Sequence, residues 1–424
     1  CYSRRSLDSH RAAAIVTTMP SRSPTIALKA RYVFPVTAPP IADGVVTIAA
    51  GRIVAVGREA EGCVTCELGN VAIVPGLVNA HTHLEFSDVS RPLGRPKMAF
   101  PGWIREVVAF RRARGEPVLS AVRKGLQESL TAGTTTLGEI ATPGWSADAM
   151  TSSPIVPTVF LEAIGLARER LEQKRDEALA HLAHGAGGWR PGLSPHAPFT
   201  VHPELFAALT ALAAAKKVPV AIHLAESPEE LELLATGGGP FRDLLMELGA
   251  WDATAIAPGT RPLDYLSRLA ACDRALAIHG NYFDREEIEF VAAHADRLSV
   301  IYCPRTHDYF GHARYPLPQL LAAGSNVALG TDSRASNPDL SILEEMRFVA
   351  RRFPELAPAE VLELGTLRGA RALGLENDVG SLVPGKTANL AILALPDREA
   401  HDPYELLFDS DRPVTATMVR GDLV

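Results

Sequence analysis

Cysteine is scarce in this chain, with five among 424 residues, which excludes a small fold stapled by disulfides. Positive charge is also in deficit. The 42 Lys and Arg face 49 Asp and Glu, leaving a formal net charge of −7, without the basic footprint that a general nucleic-acid binder needs. No apolar run approaches the roughly 18 residues that span a bilayer. At the N-terminus the longest apolar stretch, Ala12 to Val16, is shorter than a signal-peptide core. The expected compartment is therefore the cytoplasm. The chain opens on Cys1, and Met19 stands just before the first β-rich run. Residues 1–18 are thus expected to be an extension or an upstream start, within a disordered extension over 1–24.

What the chain has in quantity is apolar surface: 47% of its residues are hydrophobic and 21% charged, a globular composition rather than a disordered or collagen-like one. The length allows roughly three domains, although a single α/β barrel can use about 250 residues. Residues 27–70 read as short strands with turn punctuation at Pro39, Pro40, Asp43, Gly44 and Gly51. The segments 388–395 and 414–424 read alike. Neither half encloses a core alone, so a small β-sandwich domain built from both termini, 25–72 with 375–424, is expected.

Between them, over 73–374, apolar strand runs alternate with helical patterns: 71–81, 133–140, 155–165, 192–196, 218–226, 274–281, 298–305 and 326–333. Val118, Val122, Leu126 and Leu130 form one helical stripe. Eight such units are what a (β/α)8 TIM barrel requires. Its strands are buried on both faces and therefore read as continuously apolar. A doubly wound open sheet is disfavoured, because no glycine-rich turn follows the first strand and polar residues end many different strands.

Those strand ends carry the chemistry. His81-Thr82-His83 closes the first barrel strand, and residues two apart in an extended segment face the same way. His223 ends the fifth strand with Glu226 three residues on; His279 ends the sixth and Asp332 the eighth. One histidine alone would be a satisfied polar residue. Four histidines and an aspartate at the same end of apolar strands point to a metal site. Nitrogen and carboxylate donors suit Zn²⁺ first, with Fe²⁺ and Mn²⁺ as further occupants. Such an ion makes hydroxide available near neutrality. Asp332 is then a ligand or the group that orients and deprotonates the water, and Glu226 a proton shuttle, against the blander reading of Glu226 as a salt-bridged loop residue.

The stretches PGLVNAHTHLE, SPHAPFTV, HLAES, AIHGN and GTDSRAS, in this order, resemble the amidohydrolase superfamily, in its branch of chlorohydrolases and nucleobase or nucleoside deaminases. The resemblance covers most of 27–424. It implies His81, His83, His223 and Asp332 as metal ligands, Glu226 as acid/base, His279 beside the attacking water or tetrahedral centre, and His196 as a substrate contact. A flanking β domain built from both termini is also implied. After the seventh strand the chain departs from the common Asn-Pro-x-Ser-Asn pattern and reads Tyr302-Cys303-Pro304-Arg305-Thr306-His307-Asp308-Tyr309-Phe310-Gly311-His312. Arg305 is a candidate to pair with a substrate carboxylate or phosphate, or to brace acidic residues at the barrel mouth. His307, Tyr309 and His312 are candidate pocket residues. Glu139 and Glu162 also end strands and are candidates to face the substrate or balance Arg305.

Three signals are discounted. Cys63-x-x-Cys66 lacks a second pair and a following helix, so buried strand cysteines are expected. Gly380 to Thr387 fits a phosphate-binding loop in letters, but it leads into a strand and contains Pro384. Arg111-Arg112-Ala113-Arg114 has no stacking partners for nucleic acid. His10, His181, His184, His202, His294 and His401 need no functional account.

The expectation is a metal-dependent hydrolytic deaminase of an amino-substituted heteroaromatic ring, purine- or nucleoside-like and carboxylate-bearing in the aminofutalosine manner. Dechlorination or cyclic-amide hydrolysis on the same scaffold is an alternative. A non-catalytic binding barrel is another. The expected partner is a small molecule, with neither nucleic acid nor membrane, and a homodimer is the default assembly.

Overall fold

The computed structural model describes residues 25–424 apart from 61, 115–117, 152 and 184–187. The expected terminal extension, with Cys1 and His10, lies outside the described residues, as does His184. Two sheets organise the chain. The first gathers β1 (Ile26–Val33), β2 (Ile41–Ala49), β3 (Arg52–Gly57), β4 (Val64–Glu67) and β5 (Val71–Pro75) from the N-terminal part. To these it adds β14 (Leu390–Ala394), β15 (Val414–Val419) and β16 (Asp422–Leu423) from the C-terminal part. The second is parallel throughout: β6 (Leu77–Thr82), β7 (Thr134–Ala141), β8 (Thr158–Ala163), β9 (Arg190–Pro195), β10 (Val220–Leu224), β11 (Ala275–His279), β12 (Leu298–Tyr302) and β13 (Asn326–Leu329), in sequential order.

The small domain is one mixed sheet that curls round its own core of Leu28, Val46, Ile48, Ile53, Ile73, Leu390 and Met418. Its edge strand β3 returns to the chain ahead of β14, where Ile53 N–H donates to Lys386 O at 2.9 Å. The tie between termini is direct, since β5 pairs antiparallel with β14. One boundary differs from expectation. The apolar run over 71–81 is two strands in two sheets, divided at Gly76 rather than at 72/73. Hydrophobicity could not mark the division, because β5 and β6 are both wholly buried. Gly76 sits where the chain crosses over, and a Cβ there would lie 2.2 Å from Thr135 Oγ1.

The barrel strands follow the expected runs, and their continuous burial follows from helices covering the outside while Val78, Ile140, Phe160, Leu276, Ile278 and Ile301 fill the inside. The predicted helical stripe is realised in Leu119–Thr131, where Val122, Leu126 and Leu130 are buried.

The barrel closes at its first and last strands through side chains as much as backbone. Asn79 Nδ2 donates to Thr331 Oγ1 at 2.7 Å, and Thr331 N–H donates back to Asn79 Oδ1 at 3.1 Å. Asp332 N–H reaches His81 O at 3.1 Å. Gly330 makes this approach possible: a Cβ there would fall 2.9 Å from both His81 Cβ and His81 O.

The discounted motifs resolve physically. Lys386 Nζ donates inward to Glu376 O at 2.5 Å, Val379 O at 3.0 Å and Ser381 Oγ at 2.7 Å, so it tethers a turn. Cys63 and Cys66 are free but only half-buried, a correction to the expectation of burial; Cys66 lies on the largely exposed strand β4.

Gly330→Ala is expected to cost about 1–3 kcal/mol, as forced overpacking does. Denaturant unfolding with an unchanged m-value checks it, and a loss below about 0.5 kcal/mol would show that the strands separate freely there.

Candidate active site

The six residues expected at the strand ends meet at one mouth of the barrel, all of them buried: His81, His83, His223, Glu226, His279 and Asp332. His81 and His83 leave β6 with ring centroids 4.9 Å apart. His83 Nε2 lies 3.2 Å from His223 Nε2. Asp332 Oδ1 is 3.6 Å from His81 Nε2 and 3.8 Å from His83 Nε2. Three strand exits turn sharply at this mouth, with φ of 53° at Ala225, 71° at His279 and 54° at Asp332. L-residues other than Asn, Asp and His rarely adopt that left-handed region, and such strain gathers at functional sites.

Whether an ion fits is decided by the donor set. The ligating atoms of His81, His223 and His279 lie within 4.8 Å of one another, as do those of His81, His83 and Asp332. Burial, and then the charge of neighbouring imidazoles, pushes the His83 ring well below the usual histidine range; the same two causes act on His223 and His279. Neutral rings keep the lone pair that a cation needs. His223 Nδ1–H donates to His196 O at 2.8 Å, which leaves Nε2 for the site. Both nitrogens of His81 and Nδ1 of His83 are buried without a hydrogen-bond partner among the described residues. Two facing Nε2 atoms and orphaned ring nitrogens beside a carboxylate suit a divalent cation.

Glu226 is separate from that donor set, with Oε1 3.3 Å from His279 Nε2. Burial, then Asp332 and Glu230, raises its carboxyl well above the usual range, which favours its protonated form. Sequence reasoning missed the residues that fix it. Glu230 accepts Ala225 N–H at 2.8 Å and Glu226 N–H at 2.9 Å, and burial lifts its own carboxyl to about 7. Asn281 Nδ2 donates to Glu226 O at 2.8 Å. Glu139, expected to face the substrate or balance Arg305, instead accepts Leu84 N–H on both oxygens at 3.1 and 3.0 Å just after His83. Ser336 Oγ donates to Asp332 Oδ2 at 3.1 Å. Glu230 lies four residues beyond Glu226, a spacing that could have drawn attention to it.

The expected substrate contacts divide. His196 stands 4.9 Å from the His223 ring, with Nε2 3.8 Å from Glu162 Oε1, so both adjoin the site. His307 is buried beside His312, ring centroids 5.3 Å apart, and its Nε2 has no partner among the described residues. Arg305 takes the second of its two expected roles, and the expectation for Tyr309 needs correction. Arg305 presents no free fork: Nε donates to Glu345 at 2.7 Å, while Nη1 and Nη2 donate to Asp339 at 2.9 and 2.6 Å. It is the brace, since Glu345 also receives Asn337 Nδ2 at 2.6 Å and Asn337 holds Thr331 O at 2.7 Å, beside Asp332. Tyr309 spends its hydroxyl on Leu93 O at 2.5 Å, tying down the segment after the first barrel strand.

Burial holds His307 at about 3, His312 at about 4 and His196 at about 3, all below an unfolded value near 6.5. The folded chain keeps these rings neutral, while the unfolded chain takes up protons once pH drops past about 6.5. Their contribution is therefore complete above that pH and lost as pH falls toward their folded values. Between pH 7.5 and 5, His307→Gln is expected to lose about 2 kcal/mol less stability than the parent chain. Urea midpoints at both pH values check this, and equal losses would mean that His307 titrates normally.

The amidohydrolase family model matches residues 72–424. An aminodeoxyfutalosine deaminase of Deinococcus radiodurans is 32% identical, over 73% of this chain and 75% of that protein. A 5-methylthioadenosine/S-adenosylhomocysteine deaminase of Moorella thermoacetica is 30% identical, over 89% of this chain and 86% of that protein. Among solved structures, a zinc-bound adenosine deaminase of Xanthomonas campestris superposes with a TM-score of 0.76 at 26% identity, covering 94% of this chain and 92% of that one. Among the described residues no helix is long and apolar enough to cross a membrane. With its barrel, its buried imidazole and carboxylate cluster and these relatives, the chain belongs to the amidohydrolase family and is a hydrolase of carbon–nitrogen bonds.

Proposed function

We propose that the chain is a hydrolytic deaminase of adenosine-like nucleosides, with His81, His83, His223 and Asp332 holding one divalent transition-metal ion, zinc before iron or manganese. The names of the relatives from Deinococcus and Moorella support the substrate class. The observation that carries the chemistry is Glu226: a buried carboxyl 3.3 Å from His279 Nε2, outside the ligand set, whose burial favours the protonated form.

When bound, the ion supplies hydroxide near neutral pH and polarises the oxygen that adds to the ring. The protein's own groups do the rest. Glu226 delivers its proton to the ring nitrogen next to the amine-bearing carbon as the oxygen adds, and that carbon becomes tetrahedral. Glu226 then moves a proton from the new hydroxyl to the amino group, which leaves as ammonia. His279 Nε2 hydrogen-bonds the oxygen on the tetrahedral carbon. Asp332 keeps Oδ1 toward His81 and His83 because Ser336 occupies Oδ2, so Oδ1 can accept a proton from the attacking water, and that proton passes back to Glu226 once ammonia has left. His196 and Glu162 line the substrate side, where neutral His196 can donate or accept with the heterocycle. The surrounding burial excludes bulk water and strengthens each of these contacts.

Glu226→Gln is expected to keep its metal, measured by inductively coupled plasma analysis, while kcat for ammonia release from adenosine-like nucleosides falls about 10²–10⁴-fold. Undiminished turnover would remove Glu226 from the acid/base role. Chloride release or ring opening in place of ammonia would sink the deaminase reading.

A further inference from the structure

Arg305 is committed to Asp339 and Glu345 and has no free fork for an anion. Arg111 sits on the helix Phe100–Arg114, which follows the loop leaving the first barrel strand. Its Nη2 donates to Glu85 Oε1 at 2.6 Å, and its guanidinium carbon lies 5.3 Å over the Phe86 ring. Glu85 is buried and only two residues past His83. Arg114 steadies Glu85 as well, from 3.4 Å, and donates to its carbonyl. Arg111 is thereby fixed beside a metal-ligand strand end by hydrogen bond and ring contact. Yet its Nε is buried and has no hydrogen-bond partner among the described residues, and a buried donor left unmade carries a desolvation cost.

Arg111 also acts toward Glu162, whose Oε1 lies 3.8 Å from His196 Nε2: its charge opposes the burial that raises that carboxyl. The two share no ion pair among the described residues, where the pairs of Arg111 and Arg114 are with Glu85 and Asp88. A rigid guanidinium with donors in hand, beside the residues that line the substrate, suits a planar anion. Resting on the nucleoside-deaminase reading above, we propose that Arg111 is the specificity residue of this site. Its guanidinium, clamped by Glu85 beside His83, pairs with a carboxylate carried on the substituent of the nucleoside, remote from the reacting amine.

The test compares ligands that share an adenosine-like nucleoside and differ in the carboxylate. S-adenosylhomocysteine and aminodeoxyfutalosine carry one, and 5′-methylthioadenosine does not. Binding is measured by calorimetry on the zinc-loaded full chain in a Glu226→Gln background, where turnover is suppressed. Adding Arg111→Gln is expected to weaken a carboxylate-bearing ligand about 10–100-fold, the worth of a charge-assisted pair, and to leave 5′-methylthioadenosine within about threefold. Arg111→Lys, which keeps the charge without the fork, is expected to recover part of the loss and guards against a misfolded glutamine variant. Zinc content and thermal midpoint are read on every variant. The proposal is overturned if all ligands weaken by one factor, if none weakens, or if the parent background binds none of them. A failed deaminase reading looks different: a carboxylate preference that depends on Arg111, with no ammonia released from any of these nucleosides by the chain with Glu226 intact.

Discussion

The site depends on how β6 and β13 meet. A parallel barrel must bring its first and last strands together, and here that seam also carries two of the proposed ligands. His81 and Asp332 are joined through the backbone, with Asn79 and Thr331 exchanging hydrogen bonds one layer below. Because Gly330 has no side chain, β13 can lie against His81 itself. Closure of the fold and assembly of the ligand set are therefore one event. Of the other proposed ligands, His83 follows His81 on the same strand end and His223 arrives on β10, which pairs in parallel with β11, the strand that brings His279 beside them.

Burial then sets the chemistry. Desolvation penalises charge whatever its sign, so it favours neutral imidazoles at His83, His223 and His279 and the protonated carboxyl at Glu226. One physical cause favours both the lone pairs that a cation requires and the acid on which the proposed reaction relies. Buried polar groups are tolerated because hydrogen bonds compensate them. Glu230, Glu139 and Asn281 satisfy backbone groups next to Glu226, His83 and Glu226 respectively. These residues touch no reacting atom, yet they decide where the reacting groups stand.

Much of this was legible beforehand. Strands buried on both faces read as continuous apolar runs, and polar residues at their C-terminal ends stand out against that background. His81, His83, His223, Glu226, His279 and Asp332 were found in this way. The same signal failed at 71–81, where two strands of different sheets are equally buried. It also could not separate arginines. Arg305 follows a strand end and reads as either a substrate group or a brace, while Arg111 lies in a basic stretch discounted for want of stacking partners. Their partners, Glu345 and Asp339 for the first and Glu85 for the second, lie 40, 34 and 26 residues away.

The sequence by itself determined the barrel, the small domain shared by both termini, and the set of imidazoles and carboxylates at one mouth. Strand period and burial are local properties, and each strand end is adjacent in the chain to the strand that places it. Only the tertiary structure decided which charged groups are spent and which remain available. Arg305 is consumed by two carboxylates, Tyr309 by a carbonyl and Lys386 by three oxygens, whereas Arg111 keeps a buried donor. Whether a long polar side chain is satisfied depends on which distant segment packs against it, and no local pattern encodes that choice.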